Sequence, residues 1–489
     1  RANVIVRRHP RNPAKAVAWV TLDSIAAAAG LARKLPHYGK YSWLAFAGDE
    51  PTNVAKGEWP AADSPLRVDL RAQQERTAIL PMAGYPRRDA LARLPAVFDD
   101  AAFATHVRWL ADPLREGRGL GSAGSDAAAT YVADAFKRAG LQPVDAQGWF
   151  QDFDYAPSGA QKSLPLRNVV GVLRGSNPQY AGQAIIVSAH YDHLGRNGPG
   201  VRVAEIGQIH PGADDNASGV AVLLELARTL AAAGAPERTI LFVAFAGEEA
   251  GLQGSKWFVA HPRGVPLEGI RAVLNLDTVG RLGRGELSVL ATGTASEWQH
   301  VFRGITFSTG IAIKNIPGAA QSSDQQSFIE HGIPGVQLFT AAHLDYHRPT
   351  DTADRIDFDG LVKVATVARE AIDYLAQRSA PLTITIERSG GESSSTAATG
   401  DARRVSFGLV PDYAHRGAGV RAESVVPASP AARAGLEAGD LVLSLDGVAV
   451  EGLGAFSDAL KQHGAGDRIV TRVRRGARDF TVTVELVAR

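Results

Sequence analysis

Ala184-Ile185-Ile186-Val187-Ser188-Ala189-His190-Tyr191-Asp192-His193 is the stretch whose reading decides the fold. Its first half is a short apolar run without alternation, the signature of a strand covered on both faces. Its second half turns abruptly to titratable residues, as a buried strand does only where it emerges. Working outward, the same run recurs at Thr239-Ile240-Leu241-Phe242-Val243-Ala244, Ala272-Val273-Leu274-Asn275, Leu287-Ser288-Val289-Leu290 and Val336-Gln337-Leu338-Phe339. Helical patterns fall at about 125–139, 218–233, 252–260, 295–309, 322–331 and 358–377. This alternation predicts an α/β domain over residues 94–385, a mixed, mostly parallel sheet with helices on both faces. Such sheets bind ligands beyond the carboxyl ends of their strands. His190, Glu248, Glu249 and Asp277 all lie just past such ends.

The flanks read differently. Residues 1–93 are expected to be a small α/β module, with a buried strand at Ala16-Val17-Ala18-Trp19-Val20 and a second at Tyr41-Ser42-Trp43-Leu44-Ala45-Phe46. A helix is expected between them from Asp23 to Leu35, with Asp23 as its N-cap. No chemical motif stands out there, and the His37, Tyr38 and Tyr41 cluster reads as surface packing. Residues 386–402, with Ser389-Gly390-Gly391-Glu392-Ser393-Ser394-Ser395, read as a flexible linker that cannot bury a core. Residues 403–489 show short β runs and turn signals, the pattern of a small β-rich domain.

Bulk properties bound the answer. A chain of 489 residues exceeds one ordinary core, so two or three domains are expected. With 45% hydrophobic and 21% charged residues it is ordinary globular material, and a net charge of +1 gives no reason to invoke nucleic acid. There is no cysteine, so any metal must be held by histidine and carboxylate, and the chain folds in either redox compartment. No apolar run approaches the roughly 20 residues that span a bilayer. The chain begins at Arg1 without a leader pattern, which leaves a removed leader or a longer parent chain as the expectations.

Five short segments carry the chemistry. They are Ala189-His190-Tyr191-Asp192-His193, Gly212-Ala213-Asp214-Asp215-Asn216-Ala217-Ser218-Gly219, Gly247-Glu248-Glu249, Asn275-Leu276-Asp277 and Tyr346-His347-Arg348-Pro349. A set of two histidines and three carboxylates gives each of two zinc ions a histidine and an acid, with one carboxylate left to bridge them. Asp192, two residues after His190, is placed to orient that imidazole. Glu248 precedes the ligand Glu249, so it can face a bridging water as general base. Each piece alone has a bland reading: a lone histidine beside a strand is usually packed, paired glutamates usually solvate a helix end, and the Asp-Asp-Asn run suits an N-cap. Order, spacing and topology together favour the metal reading.

With these motifs, and with Glu116-Gly117-Arg118-Gly119-Leu120-Gly121-Ser122 upstream, the stretch from about Leu110 to Leu375 resembles the dizinc aminopeptidases of peptidase family M28. That family shares the zinc-dependent exopeptidase fold with glutamate carboxypeptidases and glutaminyl cyclases. The resemblance implies two Zn2+ ions, with His190 and Asp277 on one, Glu249 and His347 on the other and Asp215 between them. It implies Glu248 as general base, a cis peptide at Asp215-Asn216, and Tyr346 helping to polarise the scissile carbonyl. One departure is visible: in Ser322-Ser323-Asp324-Gln325-Gln326-Ser327-Phe328, Gln325 stands where relatives commonly have histidine, which bears on the shape of the substrate pocket. No protease-associated insert precedes the first ligand strand.

Residues 403–489 resemble a PDZ domain of the bacterial protease-associated kind, through Phe407-Gly408-Leu409, Ala428-Ser429-Pro430-Ala431-Ala432-Arg433-Ala434-Gly435-Leu436 and Gly439-Asp440-Leu441-Val442-Leu443-Ser444-Leu445-Asp446-Gly447. PDZ domains capture a peptide C-terminus by strand addition. Phe407-Gly408-Leu409 would then be the carboxylate loop, with Phe456 to His463 as the helix lining the groove. A module that only packs against the enzyme or a partner is the alternative.

The expectation is therefore a periplasmic or secreted metallo-aminopeptidase acting on peptides with a free N-terminus through a two-zinc bridging water, with a PDZ module for peptide or protein C-termini. The alternatives are a carboxypeptidase, dipeptidase or glutaminyl cyclase of the same fold, or a PDZ-led scaffold with structural zinc.

Overall fold

The computed structural model describes residues 1–9, 12–59, 96–157, 162–318, 323–341, 343–386, 405–412, 415, 417–426 and 429–488. They divide into two compact units, Arg1–Ala96 and Val97–Arg489.

In the first unit, β1 (Ala2–His9), β2 (Asn12–Leu22), β3 (Trp43–Ala47) and β4 (Thr52–Gly57) form an antiparallel sheet in the order β2-β1-β3-β4, joined by one helix, α1 (Ala27–Lys34). Ala2, Val4, Leu31, Leu44 and Phe46 make its core. Two expectations change. The run from Ala16 to Val20 is a strand, but an edge strand with exposed side chains, Trp19 at 67%. An apolar run has the same appearance on an edge as in a sheet interior, so periodicity misread it. The helix starts at Ala27 and has no side-chain cap; the Asp23 carboxylate instead meets the Arg1 backbone nitrogen at 3.0 Å.

The second unit opens with α2 (Asp100–Leu110), absent from the expected helices, whose N-cap Asp99 accepts from Ala101 N–H. Then follow α3 (Ala123–Arg138), β5 (Gln142–Pro143), β6 (Phe150–Tyr155), β7 (Leu164–Leu173), β8 (Ala184–His190), α4 (Gly219–Ala233), β9 (Thr239–Phe245), α5 (Gln253–Ala260), β10 (Ile270–Leu276), β11 (Leu287–Leu290), α6 (Trp298–Thr309), β12 (Ile313–Ile316), α7 (Gln325–Ile329), β13 (Gly335–Phe339) and α8 (Phe358–Gln377). The strands form one mixed sheet in the order β12-β11-β13-β10-β8-β9-β7-β5, with β6 also on β7. Its centre, β13-β10-β8-β9, is parallel; β11 and β7 run antiparallel on either side.

The alternation of β8 explains the layers. Ile185, Val187 and Ala189 face the large core shared with α2, α3, α4, α6 and α8. Ala184 and Ile186 face the smaller core of Phe258, Val259 and Phe328 from α5 and α7. With helices on both faces, every β8 residue is buried, as the unbroken apolar run requires.

At the C-terminal end, β14 (Val405–Ser406), β15 (Leu409–Pro411), β16 (Val420–Val425), α9 (Pro430–Arg433), β17 (Leu441–Leu445), β18 (Val448–Ala449), α10 (Leu453–Lys461), β19 (Arg468–Arg475), β20 (Arg478–Glu485) and β21 (Val487–Ala488) make a small β-rich fold. Its main sheet runs β15-β16-β17-β19-β20 around a core with Phe407, Leu445, Phe456, Leu460 and Val473. The expected linker, apart from residue 386, lies outside the described residues.

Candidate metal centre

Each candidate side chain is delivered by the end of a central strand or by the loop beyond it. His190 closes β8, Glu248 and Glu249 follow β9, and Asp277 follows β10. Asp215 sits in the irregular turn Ala213–Ser218 that leads into α4, where the Asp215-Asn216 peptide is cis. His347 lies beyond β13, in a positive-φ conformation (57°) that is uncommon without glycine. Thr278 (φ 56°), directly after Asp277, shares this feature and donates its hydroxyl to Asp277 Oδ1.

The groups converge as two clusters that share Asp215. His190 Nε2 is 3.3 Å from Asp215 Oδ1 and 3.4 Å from Asp277 Oδ1. On the other side, His347 Nε2 is 3.1 Å from Asp215 Oδ2 and 3.2 Å from Glu249 Oε2. The five residues chosen from the sequence thus meet at one place, and each oxygen of Asp215 turns to a different cluster.

The surrounding hydrogen bonds fix the ligands. His190 Nδ1 lies 3.1 Å from the Asp192 backbone oxygen, which accepts its proton and leaves Nε2 facing the carboxylates. The expected orienting role of the Asp192 carboxylate goes mainly to that carbonyl, since the nearer carboxylate oxygen is 3.8 Å from Nδ1. The carboxylate instead accepts from the backbone N–H groups of Gly247 (2.8 Å), Glu248 (3.2 Å) and Glu249 (3.4 Å), holding the loop that presents both glutamates. Tyr346 is 39% exposed and its ring stacks on His347 with centroids 4.0 Å apart.

Electrostatics match this crowding. Burial draws the His347 imidazole down, but Glu249 and Asp215 outweigh it and lift it to about 10. Burial pushes Glu249 up, but His347 and His193 bring it to about 2. Glu248, half-buried, is held well above the carboxylate range by burial and by the charges of Asp277 and Glu249, which exceed the pull of His190. Buried carboxylates crowded around imidazoles are the charge pattern that favours a divalent cation between them.

The donor set fits zinc. His193 Nδ1, Asp215 Oδ2, Glu249 Oε1 and His347 Nε2 are all buried without a hydrogen-bond partner. Buried polar atoms are normally satisfied, so four such atoms in one place mark room for a cation. Histidine nitrogen with carboxylate oxygen is an ordinary zinc environment.

Three contributors escaped sequence reasoning. Arg118 is fully buried with no carboxylate partner; its guanidinium donates to the backbone oxygens of Tyr191, Leu110, Pro211 and Gly212 at 2.7–2.8 Å. It ties the end of β8 to the loop that carries Asp215. Asp351 accepts from the N–H groups of Asp214 and Asp215. His193 borders the Glu249 cluster, with Nδ1 2.8 Å from Glu249 Oε1 and 3.8 Å from Asp215 Oδ2. The available signals were position: His193 ends a quoted motif, and Asp351 lies four residues past His347. Gln325, expected to bear on the substrate pocket, is fully enclosed, accepting from Asn275 Nδ2 and donating to Gln337 Oε1.

In the small C-terminal fold, Phe407 is buried edge-to-face against Phe456, with centroids 5.2 Å apart. Gly408 has φ +87°, and a Cβ there would come within 2.1 Å of the Ser429 Cβ. Leu409 begins β15, which lies at the edge of its sheet.

Comparison with known proteins agrees with both resemblances. Residues 168–372 match the sequence model of peptidase family M28, and residues 399–486 match that of the PDZ domain. A probable zinc metalloprotease of Pyricularia oryzae is 31% identical over 231 residues, 46% of this chain and 42% of that protein. Aminopeptidase YwaD of Bacillus subtilis is 26% identical over 219 residues, 42% of this chain and 44% of that protein. The chain spans about half or less of the length of both. Among solved structures, BSAP, a zinc aminopeptidase from Bacillus subtilis, matches at 19% identity with a TM-score of 0.47, over 60% of this chain and all of that one. Porphyromonas gingivalis glutaminyl cyclase matches at 20% identity with a TM-score of 0.48, over 57% of this chain and all of that one. The chain carries an M28 peptidase domain followed by a PDZ domain. Among the described residues no helix is long and apolar enough to cross a membrane.

Proposed function

We propose that this chain is a zinc-dependent aminopeptidase that removes N-terminal residues from peptides, with two Zn2+ ions held by His190 and Asp277 on one side, Glu249 and His347 on the other, and Asp215 between them. The observation that carries the reading is the position of Asp215, whose Oδ1 lies 3.3 Å from His190 Nε2 and whose Oδ2 lies 3.1 Å from His347 Nε2. Bound zinc supplies Lewis acidity, activating water and polarising a carbonyl.

The remaining roles belong to the protein. Glu248 takes a proton from the attacking water on its carboxylate and returns it to the leaving amine. Asp192 fixes Glu248 and Glu249 through their backbone N–H groups. Tyr346, exposed with its ring stacked on His347, donates to the scissile carbonyl oxygen in this reading. Preference for a free α-amine is supported by the relatives named as aminopeptidases. In the C-terminal domain, the edge strand β15 and the Phe407-Gly408-Leu409 backbone suit capture of a peptide C-terminus by strand addition. A periplasmic or secreted setting rests on the motif resemblance, and cell fractionation tests it.

The test is hydrolysis of aminoacyl-nitroanilides, free and N-acetylated, by zinc-loaded protein. Cleavage of the free forms alone, lost in Glu248→Gln with zinc content retained, is the expected result. Cleavage of the acetylated forms, or full activity in Glu248→Gln, overturns it.

A further inference from the structure

His193 has no part in the ligand set drawn from the sequence, yet its surroundings are those of a ligand. Its side chain is fully buried, Nε2 has no hydrogen-bond partner, and Nδ1 meets only carboxylate oxygens. Leaving a buried polar atom unmatched costs about 1–3 kcal/mol, so a packed histidine normally finds a donor or acceptor. Nδ1 points into the Glu249 cluster, 2.8 Å from Glu249 Oε1 and 3.8 Å from Asp215 Oδ2, and donor atoms of His193, Asp215 and Glu249 lie within 4.8 Å of one another. The His347 ring stands roughly perpendicular to it, with centroids 5.7 Å apart, and its Nε2 faces the same two carboxylates. The backbone makes room for this arrangement. Gly212 has φ +58°, and a Cβ there would sit 2.5 Å from His193 Cγ and 2.1 Å from the Asp215 backbone oxygen. Any other residue at 212 would push the imidazole out of place.

We infer that His193 is a fourth side-chain ligand of the ion held by Glu249, His347 and Asp215. The inference rests on the two-ion reading above and makes the two positions unequal. Zinc in closed structural sites takes four protein ligands, while sites that bind substrate keep a position open. Two histidines and two carboxylates fill the Glu249 position with protein donors. The His190 position, with Asp277 and Asp215, has three and keeps room for water or substrate. The ion beside His193 is then the anchor, and the ion beside His190 is the exchangeable, working one.

Metal titration with zinc alone, monitored by calorimetry and chelator competition, tests this without reference to activity. Wild-type protein is expected to bind two ions, one distinctly tighter. In His193→Ala the tighter ion should weaken by more than the roughly 10–100-fold that loss of an outer partner costs. His193→Cys supplies a direct signature, because the chain has no other cysteine. The longer zinc–sulfur bond, about 2.3 Å against about 2.0–2.1 Å for nitrogen, offsets part of the shorter side chain. Cobalt-loaded His193→Cys should show an intense near-ultraviolet thiolate-to-cobalt band that wild-type lacks. Two ions held with unchanged affinities in His193→Ala, or two cobalt ions bound without that band in His193→Cys, overturn the inference and leave the two-ion reading standing. Wild-type protein that binds no more than one ion overturns both.

Discussion

Replacing Arg118 should separate two ways of losing a buried cation. Its guanidinium hydrogen-bonds to four backbone oxygens at 2.7–2.8 Å and directly to no carboxylate, so its hydrogen bonds tie together chain segments, while Asp215, Asp192, Asp351 and Glu249 favour its charge from further off. Burial has already lowered its pKa to about 10, so the charge is costly to keep there. In Arg118→Lys the charge remains, but three ammonium hydrogens cannot serve four oxygens and lack the planar fork. At least one acceptor is stranded, for a loss of about 1–3 kcal/mol. In Arg118→Met all four are stranded, roughly 4–12 kcal/mol before relief of the several kcal/mol spent desolvating the guanidinium, leaving a net loss of about 3–5 kcal/mol. Against total stabilities of about 5–15 kcal/mol, that is severe. Urea unfolding of the zinc-free proteins measures the ladder, and zinc affinity should fall in the same order, because Tyr191 and Gly212 flank His190 and the bridging loop. Equal stability of wild-type and Arg118→Met would refute the view that the four carbonyl bonds outweigh desolvation.

Three further outcomes follow. Asp192→Ala strands the N–H groups of Gly247 and Glu248 and should cost about 3–5 kcal/mol while reducing turnover with little change in the His190 contacts; unfolding curves and kinetics with an aminoacyl-nitroanilide check it. Burial raises the Glu225 carboxyl, but His106 and Arg228 hold it below its ordinary 4.5, so its stabilisation is present above 4.5 and is lost as pH falls through the depressed folded value. Glu225→Gln should therefore lose about 1–2 kcal/mol at pH 7, with the gap to wild-type closing in acid; a gap independent of pH would contradict the assignment. Removing zinc by chelation from protein held at about 1,000 times Kd should withdraw about 4 kcal/mol per ion and lower Tm by roughly 10 °C or more, read by calorimetry with and without zinc replenishment.

The sequence disclosed what is local and periodic. Ala184–Val187 and Thr239–Ala244 are buried parallel strands because both faces are covered, and that condition writes itself into consecutive apolar residues. The five candidate ligands were legible because each sits in a short motif, three of them just past a strand end, Asp215 in the turn before α4 and His347 in the loop beyond β13. Edge or centre was not legible: Ala16–Val20 has the composition of an interior strand, and its place in the β2-β1-β3-β4 order is set by partners elsewhere. Arg118 and Asp351 act on backbone groups, and hydrogen bonds to carbonyls or amides place no demand on the partner's side chain. His193 was in plain view; what marks it is a buried ring with Nδ1 turned to the Glu249 and Asp215 carboxylates, a property of three-dimensional surroundings alone.

The order of the candidate ligands along the chain bears on when the cluster can form. His190 and His347 are separated by β9, β10, β11, β12 and β13, and the last of these must pair with β10 before the segment carrying His347 reaches Asp215. Such distant pairings form late, because each closes a long loop. A chain emerging from the ribosome, N-terminus first, can assemble β8, the Asp215 turn, Glu249 and Asp277 while His347 is still unmade. Half-built chains therefore lack the complete cluster, and the hydrolysis proposed above would wait on nearly finished synthesis of the domain. The cluster closes only after the sheet that carries it.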